Sequence, residues 1–189
     1  MQPINSNQLL ESLQQQTLGF FDAAVEKWQV MPDEKFSLQP SPTDWSAKQC
    51  FAHLNSYGNY YIPAINNAIK LAKERGSKPA PNFAPGWLGN YFTNMMKTKT
   101  DGHPQKKMKA FKKYVHPNTE EGFKVIAEFI DQQEKMLLLL EAAKEINLET
   151  TKVAISIVPF IHLRLGDVFM FITVHNDRHI KQAERAAVL

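Results

Sequence analysis

This sequence has almost no thiol: Cys50 is its single cysteine. That excludes an intramolecular disulfide and any cysteine-rich zinc module. Long hydrophobic runs are missing as well. The longest mostly apolar stretch, Val168–Val174, falls far short of the roughly 20 residues that a membrane span needs. The N-terminal MQPINSNQLLESLQQQ has no positive flank leading into an apolar segment, so no signal peptide is expected and a soluble cytoplasmic protein is the default. No internal repeat is visible. Acidic charge is scarce in one region only. Between Lys97 and Lys113 stand seven lysines and one acid, Asp101; taking these from the chain's 22 basic and 19 acidic residues leaves 15 against 18. The net charge of +3 therefore describes a basic segment on a slightly acidic body.

What remains is 189 residues of ordinary soluble composition, enough for one domain with a core, here expected to span 1–189. Leu9, Leu10, Leu13, Thr17, Phe20, Phe21, Ala24 and Trp28 recur at three-and-four spacing and predict a helix from about Ser6 to Val30. Ser46 with Gln49 three residues on is a capping box, and it opens a second helix that passes Pro63 and stops near Gly76. Between about 77 and 117, prolines and glycines break any long element, with one short helix around Trp87–Met96. A third helix is expected from Asn118, capped reciprocally with Glu121, its face formed by Phe123, Ile126, Ala127, Ile130, Gln133, Leu137 and Leu140. The stretch after Asn147 reads as irregular, with no convincing strand pattern. A fourth helix begins near Leu165–Asp167 and continues to about Ala187. These elements predict an all-α four-helix bundle. The connection of about forty residues between helices two and three is long enough to travel the bundle's length, which implies an up-down-down-up order.

Six histidines are present: His53, His103, His116, His162, His175 and His179. In VHNDRHIKQ, His175 and His179 stand four apart and continue the apolar stripe of Val168, Phe171 and Ile172. Residues at that spacing lie one turn above the other. His53 falls on the inward side of helix two with Trp45, Gln49, Tyr57 and Tyr60. A buried imidazole must hydrogen-bond, titrate or coordinate, and three inward imidazoles would repel one another if charged. A divalent metal uses all three as neutral ligands and leaves an open position, the mark of a catalytic site. The plain alternative is that a histidine pair four apart is simply part of a helix. His103 and His116 read as solvated, and His162 as a loop residue with a rim role at most.

Two quoted stretches carry a family likeness. TDWSAKQCFAHL, Thr43–Leu54, and PFIHLRLGDVFMFITVHNDRHIKQ, Pro159–Gln182, together with the long second connection, resemble the DinB/YfiT-like family of metal-dependent enzymes. The resemblance runs from about Leu9 to Ala187. It implies an up-down-down-up bundle with a metal triad at His53, His175 and His179. It also implies a divalent ion, nickel or zinc, and chemistry such as thiol S-transfer with a low-molecular-weight thiol, or hydrolysis. The segment from Ser77 to Pro117 matches nothing distinctive in the pattern, so the small-molecule substrate does not carry over.

Around that triad, Gln182 is placed to orient a ligand or to pair with backbone. Arg178 reads either as an anion-attracting rim residue or as a surface charge. Tyr57 reads as pocket lining or core, and Trp45 as loop packing or a ligand contact. Cys50 lacks a nearby base and is a poor nucleophile. No general base is evident, since Asp177 points away from His175 and Asp167 lies two turns before it. Two rival classes stand beside the enzyme. One is a non-catalytic bundle that binds a metal or small ligand. The other is a nucleic-acid-associated protein using Lys97–Lys113, where Met108 and Phe111 interleave with lysines, with Tyr114 just beyond, but arginine is absent. A homodimer is expected from the long first helix and the apolar Val168–Phe171 segment.

Overall fold

The computed structural model describes residues 2–106, 108–116 and 121–187. Its frame is four long helices in close contact: α1 (Ser6–Ala23), α3 (Ala47–Glu74), α5 (Gly122–Ala142) and α6 (Leu165–Ala187). The helix α3 packs on both α5 and α6, and α1 lies chiefly against α5. Short elements join them: α2 (Asp33–Phe36), α4 (Trp87–Met96), a strand pair β1 (Ile4–Asn5) with β2 (Asn82–Phe83), and a hairpin of β3 (Lys152–Ile155) with β4 (Val158–Arg164).

Local chemistry fixes the ends of α3. Ser46 Oγ accepts the Gln49 amide at 3.1 Å, and Gln49 Oε1 accepts the Ser46 amide at 3.1 Å, the reciprocal cap that the sequence promised. At the other end Gly76 takes a φ of 71°, a left-handed value that costs glycine little. There Ser77 N donates to Ala72 O and Gly76 N to Lys73 O, which satisfies two carbonyls left over by the last turn. Between these ends the helix runs through Pro63 without a break.

Several expectations need correction. The first helix does not continue as α-helix to Val30. It widens into a π-helical turn over Ala24–Trp28, where Gln29 N reaches back five residues to Ala24 O, and this turn delivers Trp28 into the core. There Trp28 meets Phe36 and Phe51, and Phe51 in turn meets Phe129, all four buried. The third long helix begins at Gly122, with Glu121 making no side-chain cap; Asn118 lies outside the described residues. Its buried face is also rotated. Val125, Ile126, Phe129, Gln132, Gln133, Met136, Leu139 and Leu140 face inward, whereas Phe123 is 68% exposed and Ala127 is exposed. The stretch after Asn147 is not irregular: it forms the β3–β4 hairpin, so the bundle carries strands that an all-α reading left out.

The connection between α3 and α5 is pinned to the bundle. Phe83, fully buried, lies over Gly166 at the start of α6. Asp167 is buried and accepts the Gly86 amide on both carboxylate oxygens at 3.1 Å, and burial pushes its pKa up to about 6. A methyl at Gly166 would come within 2.6 Å of the Phe83 ring. Gly166→Ala should therefore lower stability by about 1–3 kcal/mol, as overpacking does. The urea midpoint would fall with the slope unchanged; an unchanged midpoint would show that Phe83 does not clamp this junction.

Candidate metal centre

The helices α3 and α6 bring His53, His175 and His179 to one point. Ring centroids lie 5.1 Å apart for His53–His175, 4.5 Å for His53–His179 and 4.7 Å for His175–His179. One nitrogen from each ring can be chosen so that all three lie within 4.8 Å of one another. His53 and His175 are buried, while His179 keeps part of its surface at the cavity wall. The His53 and His175 Nε2 atoms stand 3.2 Å apart. Two nitrogens each at the metal–imidazole length of about 2.0–2.1 Å from one ion are separated by roughly 2.9–3.4 Å, depending on the angle between them. The observed spacing fits.

The protein sets the donor face of two rings through their other nitrogen. His53 Nδ1 donates to the Tyr114 carbonyl at 2.8 Å, so its Nε2 carries the lone pair that points inward. His179 Nδ1 donates to Gln182 Oε1 at 3.0 Å, with the same consequence. His175 Nδ1 is buried and has no hydrogen-bond partner among the described residues, so hydrogen bonding alone does not account for that ring. Desolvation holds all three imidazoles neutral. It is the largest cause of the low His53 pKa, about 4, and of the values well below the ordinary range for His175 and His179, where the neighbouring imidazoles lower them further. A set of neutral, oriented nitrogens with no carboxylate among them suits a borderline divalent cation.

The triad opens on a cavity of about 450 Å³. The indole of Trp45 lies 5.0 Å from His53 and 5.9 Å from His179, so this residue both packs the loop and lines the site. The Tyr57 ring is 4.3 Å from His175, and its hydroxyl has no hydrogen-bond partner among the described residues. Burial pushes that phenol's pKa upward, which keeps it protonated. Arg178 is not a surface charge. It is 8% exposed, lines the cavity, and donates to the carbonyls of Met95 at 3.3 Å and Lys106 at 3.0 Å.

The lysine-rich segment gains a structural role from these bonds. Arg178 holds Lys106, Lys181 Nζ donates to Thr98 Oγ1 at 3.3 Å, and Arg185 donates to the Gly102 carbonyl at 2.6 Å. The segment is thereby strapped along α6, and Met108, Lys109, Ala110 and Phe111 become cavity wall. Two residues that the sequence placed elsewhere matter here: Tyr114, read as an aromatic beside the lysines, whose carbonyl orients His53, and His116, read as solvated. The latter is half-buried rather than solvated, with Nε2 at 2.6 Å from Ser56 Oγ and its carbonyl accepting from Gln49 Nε2 at 2.9 Å. A backbone carbonyl 61 residues from its histidine leaves no sequence signal. His103 and His162 are exposed and lie apart from the triad. Cys50 is fully buried, and desolvation pushes its thiol pKa up, which agrees with its dismissal as a nucleophile. Asp177 pairs with Lys181 at 2.7 Å.

The sequence profile of the DinB superfamily matches residues 9–183, nearly the whole chain and every triad position. Among curated proteins and among solved structures no match is found.

The buried imidazoles make the metal-free protein sensitive to acid in a defined window. His53 titrates at about 4 when folded and near 6.5 when unfolded, so between those values the unfolded chain binds the extra proton. The stability this histidine contributes is present above pH 6.5 and is lost as pH falls toward 4. Denaturant midpoints in chelator across that range should fall less steeply for His53→Gln than for the parent; parallel curves would contradict the assignment.

Proposed function

The chain belongs to the DinB superfamily, and from that membership and its three converging imidazoles we propose that it is a divalent-metal-dependent enzyme acting on a small molecule. His53, His175 and His179 are the ligands, and nickel or zinc is the ion. The reaction is transfer of a low-molecular-weight thiol to an electrophile, or hydrolysis. The observation that carries this reading is the combination of neutral rings, two of them with fixed tautomers, and a 450 Å³ space beside them. A purely structural ion would be enclosed by protein ligands, whereas three nitrogens facing a cavity leave room for a reactant. In this reading the long helices run up, down, down and up, with the strapped connection travelling between the two parallel members.

When bound, the ion lowers the pKa of a water or thiol at its open side and polarises an electrophile. The chain's own groups have separate tasks. Tyr114 O and Gln182 Oε1 hold two ligand rings in the tautomer that presents Nε2. The free Tyr57 hydroxyl, kept protonated by burial, donates a hydrogen bond to charge that develops on a reacting oxygen or sulfur. The Arg178 guanidinium, whose bonds here are to carbonyls, leaves its positive charge directed at the same space. Trp45 closes the loop side and limits water.

Protein purified without a histidine tag should carry about one divalent ion per chain by elemental analysis. His53→Ala, His175→Ala and His179→Ala should each lose it and any turnover with it. Retention of the same metal content in all three variants overturns the site. Electrophiles offered with glutathione, cysteine or water then separate thiol transfer from hydrolysis.

Tyr57→Phe provides a finer check. Metal content should be unchanged, while kcat/KM falls roughly tenfold to a hundredfold, the worth of a hydrogen bond to a charged group. Unaltered kinetics would remove Tyr57 from the reaction.

A further inference from the structure

The metal cavity is not the end of the internal space. A second cavity of about 150 Å³ adjoins it, and Tyr57, Met96, Met108 and Phe111 belong to the walls of both. Beyond that shared boundary the lining is almost wholly apolar, with Phe92, Ile157, Leu163 and Phe171 prominent. Apart from the Tyr57 hydroxyl on the shared wall, the polar groups of Ser156 and Tyr61 beside this space are paired with one another or with Lys113. Ser156 N donates to the Tyr61 hydroxyl at 3.2 Å, and Ser156 O accepts from Lys113 Nζ at 2.6 Å. Water there would find few hydrogen-bond partners, so an apolar group can replace it at little cost. At the boundary Met108 is 43% exposed and Phe111 is 52% exposed, so apolar surface is left uncovered where the two spaces meet. Polarity rises in the other direction, where a further cavity shares Arg178, Gln182 and Trp45 with the first and adds Arg185 and His103.

We propose that the second cavity is a substrate subsite, and that the substrate is an amphipathic small molecule whose apolar arm sits there while its polar reacting group lies at the three histidines. This rests on the metal-dependent reading of the first cavity. A space of about 150 Å³ with an aliphatic and aromatic lining holds a group the size of benzene. The arm is therefore a phenyl ring or a short branched alkyl chain, not a long acyl chain. The two methionines at the boundary adapt their shape to such groups.

Hydroxamates test this, because a metal-chelating head is joined to an arm of choice. Binding to the metal-loaded full chain is measured by calorimetry for acetohydroxamate and for benzohydroxamate. The phenyl compound should bind roughly tenfold to a hundredfold more tightly, the gain expected from burying a ring. Ile157→Trp, in the two-residue turn between β3 and β4, fills the subsite from its rim. It should abolish that preference while leaving metal content and acetohydroxamate affinity unchanged. Equal affinities in the parent protein overturn the subsite, as does a preference that Ile157→Trp leaves intact. Failure of acetohydroxamate to bind a metal-loaded chain, or failure of the chain to load metal, instead overturns the reading on which the subsite rests.

Discussion

Burial of imidazole without charge is the constraint on which the rest of this structure depends. Three rings from two helices sit within a few ångströms of each other, so protonating any one would place a cation in a poorly solvated space beside two more. Among the described residues no carboxylate joins the three-ring cluster, although Asp44 lines the adjoining cavity. Neutral rings present lone pairs, and lone pairs facing one another at 3.2 Å are stable only with a proton or a cation between them. Structure and chemistry thus point the same way, toward a site built to receive a divalent ion.

The surrounding architecture serves that arrangement. The reciprocal Ser46–Gln49 cap fixes where α3 begins, and hence the height of His53. Gln49 extends the same device outward by donating to the His116 carbonyl, two residues beyond the Tyr114 carbonyl that orients His53. On α6, Arg178, Lys181 and Arg185, between and beyond the histidines, hold the lysine-rich segment, and Arg178 also lines the cavity. One helix therefore supplies two ligands on one face and the fastenings of the cavity wall on another. The described lysines of that segment are exposed, while Met108 and Phe111, themselves partly exposed, form part of the cavity wall.

Legibility in the sequence followed the range of the interactions. The inward faces of His53, His175 and His179 were readable because each sits in a helix whose period declares its face, while their meeting was implied only by the family resemblance; the two ends of α3 were readable because caps are made by neighbours three to five residues apart. The face of α5 was misjudged because MLLLL, Met136–Leu140, offers leucine in every direction and the apolar period loses its phase. Packing against α1 and α3 then chose Val125 and Phe129 over Phe123 and Ala127. The β3–β4 hairpin was missed because Pro159 and alternating burial of only a few residues give a weak period-two signal. The π-helical turn at Ala24–Trp28 was hidden because it preserves the same apolar stripe while shifting its register. The Tyr114 contact, Arg178's carbonyl partners and the apolar second cavity all depend on contacts between residues far apart in sequence, which no local pattern encodes.

The central claim is that one ion binds at the meeting point of α3 and α6. Anomalous diffraction at the metal edge from crystals of the loaded protein tests it most directly. The account predicts a single peak about 2.0–2.1 Å from one nitrogen each of His53, His175 and His179, with solvent at the remaining position facing the cavity. A peak elsewhere, or none in protein that refines with the three rings joined only by hydrogen bonds, would contradict it.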